Sequence, residues 1–372
     1  MQIYQSLIVC DGIRFFSQDV FNKLSTPPNV LCSVFVISQQ SIQERGEKIP
    51  LISLLVCEGG RKAAIMGKYM NNLLSIVVTT YNREKTIGRT LDSLLSQSYK
   101  NIEIIVVDDC SKDNTIEVIK SYKDPRIKIY ENKKNLGVAK NKYEAYKYVT
   151  GSYYTYLDSD DYYIDDNFFE NAIRIFGEYD VNLYISSATY VGACKRIVYP
   201  CFTGLLPVKD YINEYQKKYQ RSLNGAMIIK KSSFDNWKEF GEIKLFDDAL
   251  MYLGGIGTSG YVYGSSNIVL ANEQQTNSVS YHISKDLIKC HLVGTVSLFN
   301  YYKSFGLIVH DEEWIFYQLK ALLYFYMSSP NAAINDIIYT NKLLKMLNVN
   351  NRFGLIKSML GDFIYIKIKN RK

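Results

Sequence analysis

The sequence predicts an α/β protein: a doubly wound, mostly parallel sheet followed by a mainly helical C-terminal extension. Three observations carry this. From Leu73 onward, short apolar runs rich in β-branched residues recur, as expected of buried parallel strands. Segments with apolar residues at helical spacing separate them. Acidic and polar residues stand at the ends of the runs, where open α/β sheets bind ligands.

The elements follow in order. "LLSIVVTT" reads as a first buried strand. "REKTIGRTLDSLLSQ" sets Ile87, Leu91, Leu94 and Leu95 on one helical face. "IEIIVVDD" is a second buried strand ending in acids, and "SKDNTIEVIKSY" a capped helix with Ile116, Ile119 and Tyr122 inward. "RIKIY" is a third strand, "GVAKNKYEAYKYV" a helix and "YYTYL" a fourth strand running into Asp158. Strand–helix alternation of this kind implies a parallel sheet. Residues 165–290 mix strand and helix signals, with "VNLYISSATYV" as a strand, "NGAMIIKKSSF" as a strand running into a helix start and "FDDALMYLGGI" as a loop entering a helix. Residues 291–372 are helical in pattern, with an aromatic and leucine stripe in "EEWIFYQLKALLYFYM".

The domain reading is an N-terminal segment over 1–70, a catalytic α/β domain over 71–285 and a helical extension over 286–372. Residues 1–70 hold short apolar runs without periodicity. They read either as an accessory segment or as sequence upstream of a functional start at Met70.

Bulk composition excludes several classes. The 372 residues suit one large α/β domain with additions. A net charge of +7 is mildly basic, not the concentrated stripe of a nucleic-acid binder, so no nucleic-acid partner is expected. Seven cysteines without a Cys-x-x-Cys pair, and three isolated histidines, suggest neither a disulfide framework nor a zinc site. They point to a reducing, cytoplasmic compartment. No apolar run approaches the roughly 18 residues of a membrane span. The basic tail "FIYIKIKNRK" reads either as a solvated end or as a contact with the inner face of the cell membrane.

The acids at the strand ends carry the chemistry. Asp158 and Asp160 flank one small residue after an apolar strand. A hard cation such as Mg²⁺ or Mn²⁺ takes one or two carboxylates and completes its shell with water and phosphate oxygens. The alternative is that Asp158 to Asp161 cap the next helix. In "VVDDCS", Asp109 can accept hydrogen bonds from a base or ribose; alternatively Asp109 or Ser111 caps the helix after Asn114. In "TTYN", Tyr81 can stack on a base while Thr79 and Asn82 hydrogen-bond it; otherwise Asn82 is a helix N-cap. In "LFDDALMYL", Asp247 and Asp248 head a helix. Either they cap it, or one is a general base at a cleft edge.

Taken together, "LSIVVTTYNREKTIGRTLDSLLSQSYKNIEIIVVDDCSKDNT", "NKKNLGVAKNKYEAYKYVTGSYYTYLDSDD", "NGAMIIKKSSF" and "FDDALMYL" resemble a family 2 glycosyltransferase with the GT-A fold. The resemblance is specific over about 73–170 and looser to about 280. It implies an inverting transferase that uses a nucleotide-diphospho-sugar donor, most often a UDP-sugar, a divalent metal and a glycan or lipid-linked acceptor, as in bacterial surface polysaccharide synthesis. By that resemblance Thr79, Tyr81 and Asp109 match the nucleobase positions, Asp158 the position near ribose and metal, and Asp160 the principal metal ligand. Asp248 matches the catalytic base, with Asp247 before it, and Asn224 and Gly225 face donor sugar or acceptor.

Three departures stand out. Lys140 occupies the place of a customary arginine, keeping the charge but losing the planar fork. Asp247 replaces a glutamate, and in "ANEQQTNSVSYH" Gln274 or Gln275 stands near the place of a histidine, with His282 further on. Two rival classes are a non-catalytic nucleotide-sugar binder and a nucleotidyltransferase. The second would bring a Gly-rich basic loop after its first strand, which "TTYNREKT" is not. The sugar, the linkage and the oligomeric state are not encoded legibly.

Overall fold

A computed structural model describes residues 72–192, 196–200, 202–215, 226–238, 248–274, 285–328 and 332–369, with four strands before residue 72. The chain forms two compact units: Met1–Asn71 with Ile173–Glu178, and Asn72–Ala172 with Tyr179–Lys372. In the first unit β1 (Leu7–Cys10) pairs antiparallel with β2 (Ile13–Phe16), and β3 (Ser33–Glu44) with β4 (Glu47–Val56).

The second unit is built on one sheet. Its strands β5 (Leu74–Thr80), β6 (Ile102–Asp108), β7 (Ile127–Glu131) and β8 (Tyr153–Asp158) pair in parallel in the order β8-β5-β6-β7. Every residue of β5 and β6 is buried, because helices cover both faces of a parallel sheet. β7, at the edge, is only half-buried. Three crossover helices make the parallel pairing: α1 (Ile87–Leu95), α2 (Thr115–Ser121) and α3 (Val138–Ala145). Ile87, Leu91 and Leu94 of α1 are fully buried, as their spacing predicts, whereas Leu95 is half-buried. In α2 the inward residues are Thr115 and Ile119, with Ile116 at the margin.

Beyond β8 the sheet is mixed rather than parallel. The turn strand β9 (Tyr162–Tyr163) and helix α4 (Phe168–Glu178) lead to β10 (Val181–Gly192), β11 (Arg196–Val198), β12 (Gly204–Pro207), β13 (Met227–Lys230) and β14 (Tyr261–Gln274). β13 pairs antiparallel with both β8 and β10, while β14 pairs parallel with β10. β9 lies antiparallel to β14.

Two helices follow β13: α5 (Lys231–Asp235) and α6 (Asp248–Gly255). α6 is packed tightly. A Cβ on Gly254 would stand 2.7 Å from Trp237, and one on Gly255 2.7 Å from Ile229. The C-terminal helices are α7 (Lys285–Ser304), α8 (Asp311–Met327), α9 (Ile334–Met346) and α10 (Arg352–Lys369). One apolar core runs from Val77 and Ile105 in the sheet, through Leu250 and Met251, to Trp314, Leu355 and Met359 in these helices. Trp237 donates to Ser297 Oγ at 3.1 Å and Trp314 to the Ile212 carbonyl at 2.9 Å, so the two buried indoles are satisfied. Among the described residues no helix is long and apolar enough to cross a membrane.

Candidate active site

Strand register gathers the predicted acids. Thr79 of β5 stands opposite Asp158 of β8 and Val107 of β6, so Thr79, Asp108 and Asp158 end on one carboxyl edge. Tyr81 follows β5 there, 41% exposed and available as a stacking face.

The loops after β5 and β6 are tied together. Asn82 takes left-handed backbone (φ +53°), donates its N–H to Ser111 Oγ at 2.9 Å and accepts the Lys112 N–H at 2.8 Å. It is therefore not a helix N-cap: α1 begins only at Ile87, with Thr86 in the cap position. Glu84 accepts the backbone and side-chain N–H groups of Asn114 at 3.0 and 2.9 Å, and Asp113 accepts the Glu84 N–H.

Asp108 and Asp109 are both buried and do different work. Asp108 accepts the Ser111 N–H at 2.9 Å, closing the turn. Asp109 reaches the loop before α3, accepting the N–H groups of Leu136 and Gly137 at 2.7 and 2.8 Å and the Asn132 amide at 3.0 Å. It does not cap the helix after Asn114. It shapes the loop that faces the strand edge, because Gly137, at φ +80°, supplies a backbone that a side chain would resist.

The turn Asp158–Tyr162 is clamped by the N-cap and one face of α1. Thr86 donates to the Ser159 carbonyl at 2.9 Å, Arg89 to the Asp160 carbonyl at 3.1 Å and Thr90 to the Asp161 carbonyl at 2.8 Å. Positions three and four apart share a helix face, which is why three side chains can hold one turn. Arg89 also pairs with Glu273 near the end of β14 and lies over the Tyr162 ring at 4.2 Å.

Four acids and three bases meet here. Asp158 is paired with Lys142 of α3 at 2.9 Å, and Asp160 with Arg83 at 3.4 Å. Burial, then the Asp158 charge, raises the Asp160 carboxyl above the usual carboxylate range. The same two causes raise Asp161 further. Asp161 accepts the Glu273 N–H at 2.8 Å. It does not cap α4, which starts seven residues later at Phe168.

Raised carboxyls beside one another suit an added cation. The donors are all oxygen, as hard divalent ions require. Among the described residues no group of three His, Cys, Asp or Glu side chains could hold a metal. Oxygen donors at one edge are compatible with a cation that takes the rest of its shell from phosphate and water.

Sequence reasoning brought Thr79, Tyr81, Asn82, Asp109, Asp158 and Asp160 to one edge, and the structure assembles them there. Lys140, in contrast, is exposed on α3; the lysine that reaches Asp158 is Lys142. Its signal was present: Lys142 shares the inward face of α3 with Ala145, an odd place for a charge. Arg83, Arg89 and Glu273 were not anticipated either; only Arg83, within "TTYNREKT" beside the strand end, had a local hint. Asp248 opens α6, but its side chain, like Asp247, Asn224, Gly225, Gln275 and His282, lies outside the described residues.

A sheet with four parallel strands, a mixed second half and an acid pair at its carboxyl edge defines a GT-A-type α/β domain. TarS of Staphylococcus aureus, residues 1–349, shares the fold with a TM-score of 0.58, 17% identity and coverage of 80% of this chain and 91% of that one. Residues 75–235 match the model of "Glycosyl transferase family 2". The chain is 41% identical over 118 residues to an Escherichia coli UDP-Glc:α-D-GlcNAc-diphosphoundecaprenol β-1,3-glucosyltransferase, WfaP, covering 30% of this chain and 47% of that protein. An uncharacterised glycosyltransferase of Rickettsia typhi is 39% identical over 196 residues, 48% of this chain and 55% of that one. The chain spans less than half the length of the first curated relatives it matches.

Proposed function

We propose that this chain is an inverting glycosyltransferase. It moves a sugar from a nucleotide-diphosphate donor, a UDP-sugar in the first instance, to a hydroxyl of a lipid-linked glycan at the inner face of the cell membrane. The observation that carries the reading is the acid pair Asp158 and Asp160, fixed at the carboxyl edge of a family 2 domain beside the exposed Tyr81. The relatives' UDP-glucose donor and diphosphoundecaprenol acceptor support the choice of donor and acceptor class.

In this reading residues 71–285 are the catalytic domain, 286–372 a helical extension and 1–70 an accessory segment. Tyr81 stacks on the base; Thr79, Asn82 and the loop held by Asp109 bind base and ribose. Asp160, with Asp158, would hold Mn²⁺ or Mg²⁺, which would supply positive charge to offset that of the diphosphate. Lys142 and Arg83 occupy the two carboxylates without the donor and keep them from repelling one another. Lys140, exposed on the same helix, adds positive charge for the phosphates.

Asp248 accepts the proton of the acceptor hydroxyl. The hydroxyl oxygen then forms a bond to the anomeric carbon as the bond to the diphosphate oxygen breaks. One displacement inverts the configuration, through an oxocarbenium-like transition state. The close packing of α6 suits this task, since a base must be held in place to act. Asn224 and Gly225 face the donor sugar or acceptor.

Thermal stabilisation across UDP-, GDP- and dTDP-sugars with Mn²⁺ tests the proposal. The expected result is a shift with one nucleotide class that disappears on chelation. No shift with any donor overturns it.

A further inference from the structure

The two last helices carry a surface with no use in the chemistry above. In α10, Phe353, Lys357, Leu360, Ile364 and Ile368 recur at intervals of three and four and so form one stripe, with Tyr365 beside it. The stripe faces outward: Phe353 is 72% exposed and Ile364 55%, while Leu355 and Met359 on the opposite side are buried in the core. α9 repeats the pattern, with Ile334, Ile338 and Met346 exposed alongside Lys342 and Lys345. A helix with one core face and a second, exposed apolar face is unusual for a soluble surface.

Within the two helices the charge beside these apolar rows is mostly of one sign. Residues 332–369 contain six basic side chains and two acids. Asp336 is turned to the Ala333 N–H at the start of α9. Asp362, two residues from both Leu360 and Ile364, lies on the opposite side of α10 and is half-buried. Neither acid interrupts the exposed stripes.

We infer that the outward faces of α9 and α10 bind an anionic lipid surface, with the apolar side chains at the acyl boundary and Lys342, Lys345 and Lys357 against the headgroups. The charge decides between occupants. Two copies of this chain would bring basic rows together, whereas an anionic leaflet supplies the missing counter-charge. α10, about 27 Å long, can lie in the interface plane but is too charged to enter the hydrocarbon. The contact stands on the helix surface. It rests on the proposed function for its purpose: holding the site beside a lipid-linked acceptor.

Flotation of the full chain with vesicles tests this. Phosphatidylcholine vesicles containing about 30% phosphatidylglycerol should carry the protein, and neutral vesicles should not. Partition should fall at least about ten-fold between about 0.1 and 0.5 M salt. Ile364→Ser with Ile368→Ser should lower it by about ten-fold or more. Lys342→Gln with Lys345→Gln should lower it about five-fold per lysine. Both variants should melt like the parent by circular dichroism, since the substituted side chains are exposed. Absence of flotation on anionic vesicles overturns the inference, as does flotation that both variants leave unchanged. So does a dimer, seen by light scattering, that the serine variant dissociates. A donor-induced thermal shift without vesicle binding would remove the membrane contact and keep the transferase; vesicle binding without any donor shift would do the reverse.

Discussion

Lys142 sets its ammonium 2.9 Å from the Asp158 carboxylate; the lysine side chain is 7% exposed and the aspartate 45%. The lysine is thus held inside α3, and the aspartate sits at the mouth of the site. Breaking such a pair weakens the compensation of the buried charge, and water at the open end softens the cost. Asp158→Asn is expected to lose about 1–2 kcal/mol in denaturant unfolding. Lys142→Met should recover part of that loss in the double variant. Strictly additive losses would show that the pair does not couple.

Glu103 offers a pH test away from the site. It is buried on β6 and accepts hydrogen bonds from Ser75, from Thr150 and from Lys128 at 2.6 Å. Burial is the largest single influence and would raise its carboxyl. The bonds from Lys128, Ser75 and Thr150 together outweigh it and hold the carboxyl below its usual range. A lowered folded pKa gives stability that is present above the unfolded pKa of about 4.3 and lost as pH falls through the folded value. Glu103→Gln should destabilise the protein at neutral pH by about 1–3 kcal/mol. It should also flatten the loss of stability below about pH 4. Urea midpoints measured across that range check both.

Arg89 joins α1, the Asp158–Tyr162 turn and β14 through the Asp160 carbonyl, the Tyr162 ring and Glu273. Its surroundings are open, so Arg89→Lys should change stability by no more than about 1 kcal/mol. Loss of the planar fork should loosen the turn that presents Asp160. Donor KM is expected to rise several-fold with kcat little changed. An unchanged KM would confine Arg89 to the surface.

The proposed base and metal ligand separate kinetically. Asp248→Asn should reduce transfer by at least about 10²–10⁴-fold while keeping donor binding. Asp160→Ala should remove the metal-dependent part of donor binding. Full transfer by Asp248→Asn sinks the base assignment, with Asp247→Asn tested next.

The sequence by itself determined the parallel half of the fold and the row of polar ends. Runs such as "IEIIVVDD" are legible because a strand buried on both faces is largely apolar, and the acid pair closing the run marks its carboxyl end. That logic finds Asp109, Asp158 and Asp160 without coordinates. It does not reach the second half, where β13 turns antiparallel, because apolar runs look alike in either direction.

Only the tertiary structure decided which charges meet. Glu273 lies 112 positions from Asp161 in the chain, yet its N–H closes on that carboxylate. Lys142 rather than Lys140 faces Asp158 because the rotation of α3, set by packing Ala145 into the core, turns that position inward. Local patterns record what each residue needs, namely burial, a cap or a counter-charge. The partner that meets the need arrives through register and helix packing between segments distant in the chain.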